Sequence, residues 1–291
     1  MLQALRPGPG DIAVDCTVGW AGHSSEILKR ITPGGKLIGC DLDPENLPKA
    51  RERLEPLGGE FQLHHSNFAG LATFVAESTS AGANLLLADL GMSSMQVDDP
   101  ERGFSYVRPG PLDMRMDRSR GRTAAEILAR ISVEELSEAL TEFGDEPAAL
   151  KVAQAIVAAR ETAPLSTTTE LAKLLQELQG QQDWRLHPTP GKWNLHPAAR
   201  TFQALRILVN RELASLEHLL RILPTILASG GRAGIISFHS GEDRLVKGAF
   251  QEGLRRGIYR DGCKDPIRPG RTEAFDNPRA RSAKFRWVVK A

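Results

Sequence analysis

From residue 11 to residue 91 the chain repeats one pattern: a short apolar run, a polar or glycine-bearing loop, then apolar residues at helical spacing. The runs cover 11–15, 36–40, 60–68 and 83–91, and Ile27, Leu28 and Ile31 form the first helical stripe, beginning near His23. Such alternation predicts a parallel, doubly wound sheet. The rhythm changes between Val107 and Thr201, where there is no convincing strand. Helical stripes lie instead near 123–131, 133–143, 147–161 and 167–179, with stops at Gly144, Pro164 and Gly180. The α/β pattern resumes with a long helix from about Pro197, an apolar strand in "GGRAGIISFHS", a helix over 242–256 and a final strand in "AKFRWVVKA". The cluster "HPTPGKWNLHP" reads as a return linker. The pattern therefore predicts a discontinuous α/β core, 1–106 and 202–291, carrying an all-helical insertion, 107–201. An insertion after the fourth strand hangs over the edge of the sheet where ligands bind in this architecture.

The first loop bears on chemistry. In "DIAVDCTVGWAGHSSEILKRI" the strand ends at Asp15, and Gly19 and Gly22 loosen the backbone before the helix. A turn of this kind aims free N–H groups and a helix N-terminus at whatever sits above the sheet. The second run, "GGKLIGCDLDPE", closes on Asp41, about 20 residues beyond Gly19, the separation at which an acidic residue accepts hydrogen bonds from a ribose diol. Asp43, ahead of Pro44, suits the competing job of helix N-cap. Ala21 stands where a third glycine would complete a pyrophosphate fingerprint. That favours a nucleoside cofactor without phosphates, such as S-adenosylmethionine.

Composition narrows the setting. The chain has 291 residues, 41% of them hydrophobic, and neither a run of 18 apolar residues nor a charged-then-apolar leader. We therefore expect no membrane span or secretory signal, and a cytoplasmic location. Cys16, Cys40 and Cys263 lack metal or redox spacing and read as core packing. His196 and His239 are not spaced with Cys or carboxylates as a zinc set would be, so no metal is expected. Net charge is only +1, but beyond His239 basic residues outnumber acidic ones by roughly two to one.

The long segment "DLGMSSMQVDDPERGFSYVRPGPLDMRMD", 89–117, is dense in Asp, Ser, Gln, Arg and Gly and reads as an active-site loop. Together with "DCTVGWAGHS", "HPAARTFQALRILVNREL", "SFHSGEDRLVK" and "NPRARSAKFR", it makes the sequence resemble the RsmH family, also called MraW, of S-adenosylmethionine-dependent ribosomal RNA methyltransferases. The resemblance runs in order over nearly the whole chain. It implies a Rossmann-like methyltransferase core with an inserted helical domain. It also implies N4-methylation of a decoding-centre cytidine in 16S rRNA, within the small ribosomal subunit. Carried over residue by residue, it implies cofactor contacts at Ala21, Gly22, His23, Asp41, Phe68, Asp89 and Gln96. Asp41 would take the ribose hydroxyls and Phe68 would stack on adenine.

A cytosine amine is a weak nucleophile, so the protein must align it and accept one N–H proton. Asp89 is the first candidate acceptor, a cofactor contact being its other role, and Asp113 is the second. Arg102, Arg108, Arg115, Arg200, Arg206, Arg244, Arg279 and Arg281 are placed to hold phosphates. Arg115, Arg200 and Arg279, inside the dense motifs, are the chosen RNA contacts.

The sequence departs from the family in three places. Ala21 replaces a usual glycine, which implies a negative φ and a methyl clear of the cofactor. Gly241 replaces a leucine, which implies a looser helix start. An N-terminal "H-x-P-V-L" type segment has no counterpart ahead of the first strand, implying a thinner wall to the cofactor cleft and weaker binding. Three other readings compete: an RNA-binding or assembly factor without turnover, an NAD-dependent oxidoreductase on the same fold, and a DNA amine methyltransferase.

Overall fold

The computed structural model describes residues 1–178 and 195–291. The expected stop at Gly180 and most of the return linker lie outside the described residues. The chain divides into two compact units, Met1–Gly91 with Leu213–Ala291, and Met92–Glu212.

The first unit is built on one seven-stranded sheet of order β3-β2-β1-β4-β5-β7-β6. Its strands are β1 Ile12–Asp15, β2 Lys36–Asp41, β3 Glu60–His65, β4 Ala83–Asp89, β5 Leu227–Ser237, β6 Tyr259–Gly262 and β7 Lys284–Lys290. β1 to β5 pair in parallel, as the alternation predicts. β7 runs antiparallel to both β5 and β6, so the sheet is mixed rather than wholly parallel. The sequence reading missed β6 because its four residues, YRDG, bury only Tyr259 and show no alternation.

Both faces of the sheet are covered, and β4 shows how. Leu86 and Ala88 join one core with Leu71, Leu219, Leu223, Val246 and Phe250. The alternate residues Leu85 and Leu87 join a second core with Ile27, Leu28, Ile31, Leu54 and Phe285. The strand is thus apolar on both sides, which is why its sequence is a continuous run and not an alternation. On edge strand β3 the alternation survives because Phe61 and Leu63 pack on one face while Glu60, Gln62 and His64 take the other, where His64 stacks on Phe74. Gly39 in β2 marks a close approach: a Cβ there would lie 2.6 Å from Val18 Cγ2 and 2.7 Å from Leu63 Cδ2.

The second unit is helical: among the described residues, Val133–Gly144, Ala149–Thr162 and Thr168–Leu178 follow the predicted stripes closely, with Ala199–Asn210 as a further long element. Ser132 and Thr123 each open a helix with a reciprocal cap to Glu135 and Glu126. The boundaries differ from the expected 106/107 and 201/202. Arg102 donates to the carbonyls of Arg115 and Met116, and Asn210 bonds Met114 O and Met116 N, which binds 92–106 and 202–212 into this unit. The long helix expected from Pro197 is two helices. Arg211, at φ 52°, breaks it between Ala199–Asn210 and Glu212–Ile226. Among the described residues no helix is long and apolar enough to cross a membrane.

Candidate active site

In a parallel sheet, strand polarity brings the carboxyl ends of neighbouring strands to one edge. Here β1 is flanked by β2 on one side and β4 on the other, so the connections leave it in opposite directions and open a crevice above Asp15, Asp41 and Asp89.

The loop between β1 and the Gly22–Ile31 helix is held by its own side chains. Asp15, 1% exposed, accepts from Ser24 Oγ at 2.6 Å and from the Thr17 N–H at 3.1 Å. Burial raises its pKa against those hydrogen bonds. The Thr17 hydroxyl accepts from the Asp89 N–H at 2.7 Å, tying the loop to the end of β4. Asp15, Thr17 and Ser24 position the loop, and the sequence reading assigned none of them a role. Their signal was the small polar residues bracketing the glycines in "DCTVGWAGHS".

Asp41 takes a hydrogen bond from the Gly19 N–H at 2.7 Å on Oδ2 and from the Asp43 N–H at 2.8 Å on Oδ1, with Asn46 Nδ2 at 3.3 Å. Burial pushes its pKa up to about 6 although all three donors pull the other way. Each carboxylate oxygen has two lone pairs, so Oδ2 retains an acceptor position for a hydroxyl. Asp43 is not the N-cap expected of it. The cap position is Glu45, whose N–H donates to Asp43 Oδ1 in a turn ahead of the helix.

His23 Nε2 lies 3.5 Å from Asp89 Oδ2, and the carboxylate raises the His23 pKa against the opposing effect of burial. The other oxygen, Asp89 Oδ1, is buried without a hydrogen-bond partner. A buried acceptor left unpaired costs on the order of 1–3 kcal/mol, while the rest of the carboxylate stays open, the side chain being 32% exposed. Gly19 and Gly22 face open space, since a Cβ at either would meet nothing within 4 Å. An orphaned acceptor, an open glycine-lined loop and a ribose-type carboxylate fit a nucleoside cofactor.

Two expectations about the family departures are corrected. Ala21 does not have a negative φ. It sits in the left-handed region at φ 59° and ψ 34°, fully buried, with its N–H donating to Val18 O at 2.7 Å. That conformation costs an L-residue roughly 1–2 kcal/mol. Gly241 does not loosen its helix. His239 and Glu242 cap Ser240–Arg255 reciprocally, and Glu242 Oε2 also accepts from the Phe238 N–H at 2.8 Å.

Phe68 follows β3, half-buried in a turn that Asn67 caps. The Ser66 N–H donates to Asp41 O, which ties this turn to the end of β2. The structure thus gathers Ala21, Gly22, His23, Asp41 and Asp89 at one edge of the first unit, with Phe68 on the adjoining exit from β3. Gln96 belongs to the second unit, where it is buried and closes the cap of Ser94–Asp98 with Ser93.

Asp113 is also in the second unit. Arg115 grips both its oxygens, Nε to Oδ1 at 2.7 Å and Nη2 to Oδ2 at 2.9 Å. Burial pushes Asp113 up, but the guanidinium more than offsets that and leaves it below the usual carboxylate range. Arg206 is similarly paired with Glu212, at 2.9 and 3.0 Å. Arg200, half-buried, donates to Asp145 O, and Arg279 is exposed in the first unit.

Strand order, glycine loop and acidic β2 terminus together define a class: enzymes that hold a nucleoside cofactor across the carboxyl edge of a doubly wound sheet. Comparison with known proteins makes the assignment particular. The chain belongs to the MraW methylase family, matching it over residues 1–291. A ribosomal RNA small subunit methyltransferase H from Geobacter sp. (strain M21) is 43% identical over 305 residues, which cover 100% of this chain and 96% of the relative. The protein of that name from Acidobacterium capsulatum is 43% identical over 296 residues, with coverage of 99% and 95%. A solved Aeropyrum pernix fibrillarin with natively bound S-adenosyl-L-methionine aligns at 11% identity and a TM-score of 0.40, covering 99% of this chain and 74% of its own. The cofactor is S-adenosylmethionine, and the oxidoreductase reading falls with that assignment.

Proposed function

We propose that this protein transfers a methyl group from S-adenosylmethionine to N4 of a decoding-centre cytidine in 16S rRNA of the small ribosomal subunit. Support for an rRNA substrate comes from the names of relatives aligned along nearly their whole length. The observation that carries the chemistry is the Asp89 carboxylate at the carboxyl edge, 32% exposed and 3.5 Å from His23.

When bound, S-adenosylmethionine supplies a methyl group already activated by its sulfonium sulfur. The residues of this chain have the remaining tasks. Asp41 accepts the ribose hydroxyls with the free position on Oδ2, and Phe68 offers its ring to the adenine. Ala21, Gly22 and His23 line the path of the methionine part with backbone and imidazole. The amine lone pair is delocalised into the cytosine ring, so an acceptor on one N–H localises it towards the methyl. The Asp89 carboxylate is that acceptor, and it takes the proton that the nitrogen sheds on methylation. His23, held beside Asp89 Oδ2, keeps the carboxylate oriented. Asp113 is the weaker candidate because Arg115 occupies both of its oxygens. The base has to be unpaired or extruded to reach such a site, which suits a loop or junction in rRNA. Arg115, Arg200 and Arg279 are the proposed phosphate contacts.

The test is transfer of labelled methyl to small ribosomal subunits from cells lacking the modification, followed by digestion to nucleosides. Label in N4-methylcytidine is expected. Label in any other nucleoside contradicts the proposed position. Absence of label, with cofactor bound, favours an RNA-binding protein without turnover.

A further inference from the structure

Between β6 and β7 the chain makes an excursion, 268–283, that the methyl-transfer chemistry does not use. Ile267 and Phe285 pair across its base through two backbone hydrogen bonds of 2.9 Å, closing it as a lobe. The lobe has its own internal order. Arg271–Asp276 is helical, Pro278–Ser282 forms a turn, and Arg281 Nε donates to Ala274 O at 3.0 Å. Register fixes where it stands. Lys284, the first residue of β7, pairs with Ser237, the last of β5, and Asp89 pairs with Ile236. The lobe therefore leaves the sheet at the edge that presents Asp89.

Its surface combines an aromatic ring with basic charge. Phe275 is 79% exposed, although an isolated phenylalanine at that exposure gains nothing from the fold. Arg268, Arg271, Arg279 and Arg281 on the same lobe are exposed as well, against the acidic Glu273 and Asp276. A solvent-facing aromatic among arginines is the composition that binds single-stranded nucleic acid. Bases stack on the ring irrespective of sequence, and the guanidinium groups neutralise phosphates. A protein partner would want a wider apolar patch, and within 268–283 Phe275 is the one large apolar side chain, with Ile267, 49% exposed, at the base.

From these observations we infer that the 268–283 lobe is a single-stranded RNA platform, on which Phe275 stacks a nucleotide flanking the target while Arg268 and Arg271 hold the backbone. The inference rests on the rRNA reading above and adds a contact outside the cofactor loop. Its role is to hold substrate, so it acts on RNA affinity and KM, not on the methyl-transfer step.

The experiment uses the full chain and a fluorescein-labelled single-stranded RNA 12-mer, followed by anisotropy across a salt series. Wild type is compared with Phe275→Ala, Phe275→Trp and the Arg268→Gln/Arg271→Gln double variant. S-adenosylmethionine affinity, by calorimetry, reports on folding. Phe275→Ala is expected to weaken RNA binding about 5- to 100-fold while Phe275→Trp retains it. The double variant is expected to flatten the salt dependence. All three should bind cofactor as wild type does, and methyl transfer by Phe275→Ala should show raised KM with kcat kept. Wild-type RNA affinity in Phe275→Ala overturns the platform while leaving the rRNA reading intact. Failure of the wild type to bind the 12-mer overturns the platform, and failure to transfer methyl while RNA is bound overturns the methylation reading and leaves the platform standing. Loss of self-association in Phe275→Ala, with RNA affinity kept, assigns the ring to contact between copies of this chain and overturns the platform.

Discussion

Two polar clusters in this molecule look alike in sequence and differ in what their groups are bonded to. At the carboxyl edge of the first unit, Asp89 Oδ1 has no partner, burial holds the Asp41 pKa at about 6, and Ala21 is kept in a left-handed conformation. In the second unit, Arg115 clasps Asp113 at both oxygens, and Asn210 answers Met114 O and Met116 N. Backbone strain does not separate them, since Met114 in the second cluster is also left-handed, at φ 63°; the second cluster has paired its carboxylate with a guanidinium, whereas Asp89 has no such partner. Density of Asp, Arg and Ser marks both; what differs is whether the carboxylate is already clasped by a guanidinium.

Removing the unmet acceptor breaks the comparison hardest. Asp89→Asn should lower single-turnover methyl transfer about 10²- to 10⁴-fold, the range of a lost acid–base group. Asp113→Asn should stay within a few-fold of wild type in the same assay. Equal losses would erase the distinction between the clusters.

Asp41 sharpens it through pH. Its folded pKa lies above the unfolded value, so at about pH 5 the folded state binds a proton that the unfolded chain releases. The Asp41 contribution therefore lowers the stability of the cofactor-free protein as pH rises from about 4 to 6. Accepting ribose hydroxyls favours the ionised form, so bound cofactor draws the Asp41 pKa back down. Cofactor affinity should then rise over the same window, by about tenfold if binding lowers that pKa from about 6 to about 5. Calorimetric titration on either side of the window reads this, and in Asp41→Asn the dependence should vanish.

For the scaffold the expected response is in stability. Asn210→Ala leaves the Met116 N–H and Met114 O without their partner and should cost about 2–3 kcal/mol of unfolding free energy. Cofactor affinity should be unchanged. Denaturant melts with and without S-adenosylmethionine separate the two quantities.

The smallest effect concerns strain. Ala21→Gly removes a Cβ from the left-handed region and should stabilise the fold by about 0.5–1 kcal/mol, net of the buried methyl that is lost. A lower melting temperature in that variant would place the packing of the methyl above the strain.

Much of the fold was legible because strands buried on both faces are continuous apolar runs, and because the inserted helices carry clear caps and stripes. β6 was not, since an edge strand of four residues has too little packing to shape its sequence. The boundary between units was not, since Arg102 and Asn210 set it through bonds to backbone carbonyls and amides, which leave no periodicity. Within the candidate site, Asp41 followed from its place at a strand end and Asp89 from the family resemblance. Thr17 and Ser24 did not, because hydroxyls that position a loop look like any turn residue until their partners are known. The Asp113–Arg115 pairing was equally invisible: "DMR" offers both charges but not the rotamers that bring them together.

The most direct test of the cofactor edge is amide hydrogen exchange on the wild-type protein with and without saturating S-adenosylmethionine. Protection concentrated in 17–24, at 41–43 and at 89–91 is the predicted result. Unchanged exchange in those segments, with protection gathered instead around 112–126, would contradict the account.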